Sequence, residues 1–341
     1  MSASEDWLIY SGGREPHDGI ARLPPPPPWR SFNGGPVMPV PGEPEDLSRR
    51  RLGTYNPGYF SSPDQVEMVN AALYLRRPLL VTGRPGTGKS TLAFSVAREL
   101  RLGPALRWRV TSRSTLQDAL YRYDAVARLQ DASLATGRSF ADDPGFDRQT
   151  NIGRYIQLGP LGTALLPWNA PRVLLIDELD RSDIDLPEDL LDVLEEGEFQ
   201  IPELARVAGE IPEADVGTAD GGSLAVVMGG QVRCAAFPLV LITSNGERNF
   251  SPAFLRHCLQ LDIAPPDAEH LFHMVEAQLG PEAAASAEPL IQRFLERREY
   301  SDLAADQLLN ALYLTNSWPH EDSRQERLTE ALLRGLSAEN T

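Results

Sequence analysis

Cysteine is close to absent from the chain. The two present, Cys234 and Cys258, cannot build a disulfide framework, and five scattered histidines offer no zinc spacing. Both thiols are expected to be small core or surface groups. Basic residues are outnumbered, 32 against 48 acidic, which leaves a formal net charge of −16. That balance disfavours non-specific attachment to nucleic acid or to an anionic membrane. No apolar run approaches a membrane span, and the opening Met1-Ser2-Ala3-Ser4-Glu5-Asp6 lacks the basic and apolar regions of a secretory signal, so a cytoplasmic location is expected. Internal repeats are missing too. What remains is ordinary for a globular protein: 42% hydrophobic and 23% charged residues over 341 positions, enough for a large core and about two domains.

One dense motif stands against these absences. Gly83-Arg84-Pro85-Gly86-Thr87-Gly88-Lys89-Ser90 satisfies every fixed position of the phosphate-binding P-loop. Its glycines let the backbone curl until successive N–H groups face the β- and γ-phosphates of a nucleoside triphosphate. Lys89 adds a point charge, the Ser90 hydroxyl can ligate Mg²⁺, and Thr91 continues the binding segment. The apolar run Pro78-Leu79-Leu80-Val81-Thr82 ahead of the loop reads as a buried strand. Behind it Leu92, Val96 and Leu100 mark one face of a helix closed by Gly103-Pro104.

Around this motif the chain divides in three. Residues 1–51 are rich in proline and glycine and contain Leu23-Pro24-Pro25-Pro26-Pro27-Pro28-Trp29-Arg30, a polyproline II arm that can dock on a neighbouring or partner protein or serve as a linker. Over 52–264, strands at Pro78–Thr82, Leu106–Val110, Val173–Ile176, Leu239–Thr243 and Leu259–Ile263 alternate with helical patterns. This is an α/β arrangement, a parallel sheet with helices on both faces. Pro265-Pro266 ends the sheet region, and 265–341 reads as a small helical domain with stretches near 267–279, 286–298, 302–316 and 323–336.

A second chemical site follows from Val173-Leu174-Leu175-Ile176-Asp177-Glu178, aliphatics ending in two carboxylates, as a buried strand delivers acids to the carboxyl edge of a parallel sheet. In P-loop enzymes the first acid, here Asp177, holds the Mg²⁺ shell and the second, Glu178, polarises the attacking water. The next helix buries Leu186, Leu190, Leu191 and Leu194, with Pro187 in its first turn. Another buried strand, Leu239–Thr243, runs on through Ser244 to Asn245, whose amide could orient the water or touch the γ-phosphate.

The order P-loop, Asp177-Glu178, Asn245 strand, Ser251-Pro252-Ala253-Phe254-Leu255-Arg256-His257-Cys258 and helical tail resembles a MoxR-type AAA+ ATPase over 52–341. Leu120-Tyr121-Arg122-Tyr123-Asp124-Ala125, Leu158-Gly159-Pro160-Leu161 and Glu195-Glu196-Gly197-Glu198-Phe199 are similar to phrases of that family. The resemblance implies a three-layer αβα domain with a five-stranded sheet and an all-α lid. It implies ATP and Mg²⁺ as ligands and a homo-oligomeric ring, a hexamer, that remodels a protein client. A protein with a von Willebrand factor A domain is the implied partner, and nucleic acid and membrane are not expected. It further implies a hairpin in 203–235, where Leu224–Met228 and Gln231–Cys234 meet at Gly229-Gly230. Segments at Asp6-Trp7-Leu8-Ile9-Tyr10 and Pro24–Trp29 are also similar to bacterial conflict-system relatives encoded beside such partners.

A trans-acting arginine belongs by this resemblance in Leu255-Arg256-His257-Cys258. Arg256 is the finger if the first position acts; if the second does, His257 replaces it with a shorter, mostly neutral donor, and Arg248 comes next. The lid departs from the family as well, since Ser301-Asp302-Leu303-Ala304-Ala305-Asp306 offers no arginine. Two rivals belong to other classes. A GTP-driven nucleic-acid motor of the McrB type is opposed by the acidic balance, and a nucleotide-binding scaffold with little hydrolysis is favoured by the His257 and lid departures.

Overall fold

The computed structural model describes residues 7–42, 52–53, 59–136, 152–298, 303–317 and 330–332. Five strands, β1 (Leu79–Thr82), β2 (Leu106–Arg109), β3 (Val173–Asp177), β4 (Leu239–Thr243) and β5 (Leu259–Asp262), form an all-parallel sheet in the order β5-β1-β4-β3-β2. Leu80, Ile176 and Ile242 point into one core, while Leu79, Leu175 and Leu241 point into another on the opposite face. A strand covered on both faces must be apolar at every position, which is why β3 and β4 read as unbroken aliphatic runs. The edge strands β2 and β5 instead alternate with polar residues.

Helices α1 (Pro63–Leu75) and α2 (Lys89–Glu99) cover one face through Val66, Val69, Leu73, Leu92 and Val96. The first is started by a capping box in which Ser62 and Gln65 satisfy each other's backbone N–H. Helix α3 (Leu186–Glu196) covers the other face through Leu190 and Leu194, giving three layers. Beyond β4 come α4 (Pro252–His257), then α5 (Ala268–Leu279), α6 (Pro281–Arg298) and α7 (Ala305–Ser317). The last three share a separate core of Leu271, Val275, Ile291, Phe294, Leu308 and Leu312. Among the described residues no helix is long and apolar enough to cross a membrane.

Three expectations need correction. The glycine pair does turn, with Gly229 and Gly230 both at positive φ, and Met228 faces Gln231. Yet Leu224–Met228 pairs mainly with Glu213–Gly217, and Gln231–Arg233 with Glu198–Gln200. The hairpin is one corner of a second, six-stranded sheet that also takes in Tyr121–Tyr123 and Ile156–Leu158. Its strands are three to five residues long, so they carry little periodic signal. Helix α6 starts at Pro281, five residues before the expected 286, because Ala283, Ala284 and Ala285 favour helix without marking an apolar stripe. Of the expected helix at 323–336 only 330–332 is described, as helix.

The third correction concerns the arm. Over its described part, 7–42, it packs along its own chain. Ile9 and Tyr10 are fully buried in the core of α1 and α2, and their N–H groups donate to Asn70 Oδ1 at 2.7 and 3.0 Å.

Candidate functional site

Strand β1 runs straight into the glycine loop, and α2 begins at Lys89. Gly88 is the N-cap of α2 in the left-handed region, and the Tyr59 ring would stand 2.9 Å from a Cβ there, so only glycine fits. Gly86, also at positive φ, faces Ala304 of the helical region, which lies against the loop. Arg84, Pro85 and Gly86 form the exposed tip, whereas Thr87 is buried and donates to Arg84 O at 3.0 Å.

Lys89 is 7% exposed. Its Nζ donates to Gly83 O at 2.6 Å and Arg84 O at 2.8 Å, bent back across the loop. Burial lowers its pKa, opposed in turn by Asp180, Asp177, Glu178 and Asp262. A buried ammonium whose hydrogen bonds go to neutral carbonyls, beside a helix N-terminus, fits an incoming phosphate anion.

The carboxyl edge of β3 supplies the acids. Asp177 Oδ1 accepts from Ser90 Oγ at 2.7 Å and Thr243 Oγ1 at 2.9 Å, and Oδ2 accepts from Arg107 Nε at 3.0 Å and from Arg107 Nη2. Burial raises the Asp177 pKa, but the donors Ser90, Arg107 and Thr243 outweigh it and hold the carboxyl below its ordinary value. Ser90 and Asp177 are thus two hard oxygen donors side by side at the phosphate loop, a pair that fits Mg²⁺.

Glu178 leaves the strand abruptly, with φ 62° and ψ 49°. A left-handed glutamate is uncommon, and such conformations gather at functional turns. The turn is pinned by Glu178 N–H donating to Thr243 Oγ1 at 2.9 Å, and Glu178 Oε2 accepts from Arg181 Nη1 at 2.8 Å. Arg181 also reaches Glu247 at 3.3 Å.

Asn245 lies just past β4, which runs between β1 and β3. Its backbone N–H donates to Asp180 Oδ2 at 2.9 Å, and the same oxygen accepts from Glu247 N–H at 3.1 Å. Asp180 therefore ties the acid turn to the asparagine loop.

Arg256 is elsewhere. It lies in the last turn of α4, just before β5 starts beside Leu79, whereas the loop leaves β1 at Thr82. Four residues of strand, about 13 Å, separate the two edges. Arg77 donates to the carbonyls of Arg256 and of His257, the latter at 3.3 Å, and His257 pairs with Glu195. These residues line a cleft of about 510 Å³ with Trp29, Leu75 and Phe254. Arg248 donates to Ser182 O at 2.9 Å.

Gly83 to Thr91, Asp177, Glu178 and Asn245 thus share one sheet edge, and Arg256 does not. Sequence reasoning missed Arg107, Thr243 and Asp180. Thr243 was visible as a lone hydroxyl at the end of an aliphatic strand. Arg107, on an edge strand, and Asp180, beyond the acid pair, carried no such signal.

Residues 78–256, just over half of the chain, match the AAA domain (dynein-related subfamily). Among solved structures, that of C. elegans PCH-2 is similar over 88% of this chain and 75% of that chain, at 12% identity and a TM-score of 0.43. A search of curated proteins found no match.

Proposed function

The chain belongs to the AAA domain family, in its dynein-related subfamily, and from that premise we propose that it hydrolyses ATP with Mg²⁺ in a homo-oligomeric ring, a hexamer, to remodel a protein client. The observation that carries the reading is the convergence of buried Lys89, the Ser90–Asp177 oxygen pair and the turned-out Glu178 on one sheet edge.

The loop N–H groups and Lys89 bind the β- and γ-phosphates, Lys89 giving up its carbonyl partners for them. Ser90 Oγ and Asp177 would hold Mg²⁺, which when bound would neutralise charge on the phosphates. Glu178 takes a proton from the attacking water. The left-handed turn ends the strand at Glu178, and Arg181 donates to one of its carboxylate oxygens. Asn245 orients that water or the γ-phosphate from the adjoining strand.

Arg256 serves a neighbouring subunit, a role supported by its place at the opposite edge from its own loop. The reading takes 1–51 as an arm, 52–264 as the nucleotide-binding domain and 265–341 as a lid, with Ala304 facing Gly86. The MoxR resemblance makes a protein with a von Willebrand factor A domain the partner we expect.

Glu178→Gln tests the reading. The variant should retain ATP at wild-type affinity and lose turnover, because an amide fits the turn but accepts no proton. Turnover at the wild-type rate would remove Glu178 as the base and with it the proposed mechanism.

A further inference from the structure

Arg107 makes a contact that the proposed chemistry leaves unused. It sits on β2 opposite Leu175, and its Nε and Nη2 both grip a single oxygen, Asp177 Oδ2. The Arg107 side chain is 30% exposed and that of Asp177 5%, so the pair is partly shielded from water on one side and almost wholly on the other. The second carboxylate oxygen already carries the Ser90 and Thr243 hydroxyls. Both oxygens of Asp177 thus accept from protein donors, one of them cationic.

We propose that Arg107 is a tethered counter-ion that opposes binding of a divalent metal at Asp177 by itself, so that metal enters only together with the phosphates of a nucleotide. Two effects support this. The guanidinium fork holds the carboxylate oxygen that a cation would otherwise take, and like charges a few ångström apart in a half-buried site repel strongly. Without phosphate, Ser90 and Asp177 give a metal too few ligands to overcome both effects. With phosphate, several anionic oxygens arrive at once and the balance reverses. Arg107 is here a positioning residue, acting through Asp177, and the inference rests on reading Asp177 and Ser90 as the metal-holding pair.

The test is Mn²⁺ titration of the full chain, followed by electron paramagnetic resonance of the free ion, with and without ADP. Removing the fork with Arg107→Gln should tighten Mn²⁺ binding to the nucleotide-free protein at least tenfold, a gain that mere loss of structure would not produce. Arg107→Lys keeps the charge but loses the two-point grip and should give about a threefold gain; it decides the matter if the glutamine variant fails to fold. Asp177→Asn should weaken Mn²⁺ binding in the presence of ADP. Unchanged or weaker binding in the Arg107 variants, with Asp177→Asn behaving as stated, overturns the role of Arg107 alone. If Asp177→Asn leaves binding with ADP unchanged, the metal-holding pair itself is wrong and the inference falls with it.

Discussion

Replacing Thr243 with Val tests how the acid pair is held. Valine keeps the shape of the side chain and removes only the hydroxyl, which is 1% exposed as a residue and makes two bonds. One is donated to Asp177 Oδ1 and one accepted from Glu178 N–H, both at 2.9 Å. Losing a hydrogen bond to a charged group costs roughly 1.5–3 kcal/mol, and leaving a buried N–H unpaired about 1–3 kcal/mol. The two share one atom and are not fully additive, so about 3 kcal/mol is expected, or roughly 6 °C in the melting temperature of a domain this size. Turnover should fall as well, because Glu178 is kept in its left-handed turn partly by this bond. Thermal unfolding and steady-state hydrolysis, run beside Thr243→Ser, read both effects. Serine retains the hydroxyl and should stay within about 1 kcal/mol of the wild type. If Val and Ser behave alike, Thr243 is a packing residue and the acid turn is fixed by something else.

Mixing Lys89→Ala with Arg256→Ala protein should partly restore turnover, since one chain supplies an intact pocket and the other an intact finger; mixed rings as inactive as their parents would leave Arg256 structural. Asp220→Ala should cost about 3–5 kcal/mol in urea denaturation. It strands Arg172, whose side chain is 0% exposed and is held by Asp220 at 2.7 and 2.9 Å. The Arg172→Met, Asp220→Leu double variant should recover most of that loss. Asp177 ionises in the folded chain below its ordinary value of 3.8, so the stability it contributes is complete above that pH and is lost as pH falls through the lower folded value. The wild type should therefore lose melting temperature more steeply than Asp177→Asn below pH 3.8.

The central sheet was legible because each of its buried strands must be apolar throughout, and the loop and acid pair because phosphate and metal chemistry fix residue types at fixed spacing. The aliphatic pattern marks Leu239–Thr243 over its full extent, and Val173–Asp177 to within one residue. The second sheet was not legible. Tyr121–Tyr123 and Glu198–Gln200 are three residues each, with partners far off in sequence, so nothing local announces them. The same holds for Arg107 and Asp180, whose meaning depends on pairing across β2, β3 and β4. Local pattern identifies an element. Its partners are set by tertiary contacts that one sequence does not display.

Nowhere does this matter more than in the arm. Prolines 24–28 lack N–H donors, so a segment of this kind docks through its carbonyls and through side chains reaching it from the body. That is the observed pattern. Arg76 donates to Pro24 O at 2.6 Å, and Arg98 to Arg14 O. Asn70 both accepts from and donates to the backbone at Tyr10. Glu99 Oε1 receives Ser11 N–H at 2.6 Å and Ser11 Oγ at 2.8 Å at the end of the helix that Lys89 begins. Arg14 also faces Glu276 of α5 at 3.6 Å. Arg30 then donates to Leu194 O and Glu195 O at 2.9 Å, where a cation complements the carbonyl end of α3, and Glu195 is the residue that pairs with His257. One arm thus touches the far end of the phosphate-loop helix, the helical region and the edge that carries Arg256. Its low ordering cost lets a segment whose regular structure is a single 3-10 turn at Gly19–Arg22 tie these places together, and Ile9 and Tyr10 anchor it in the same core that holds β1 and α2.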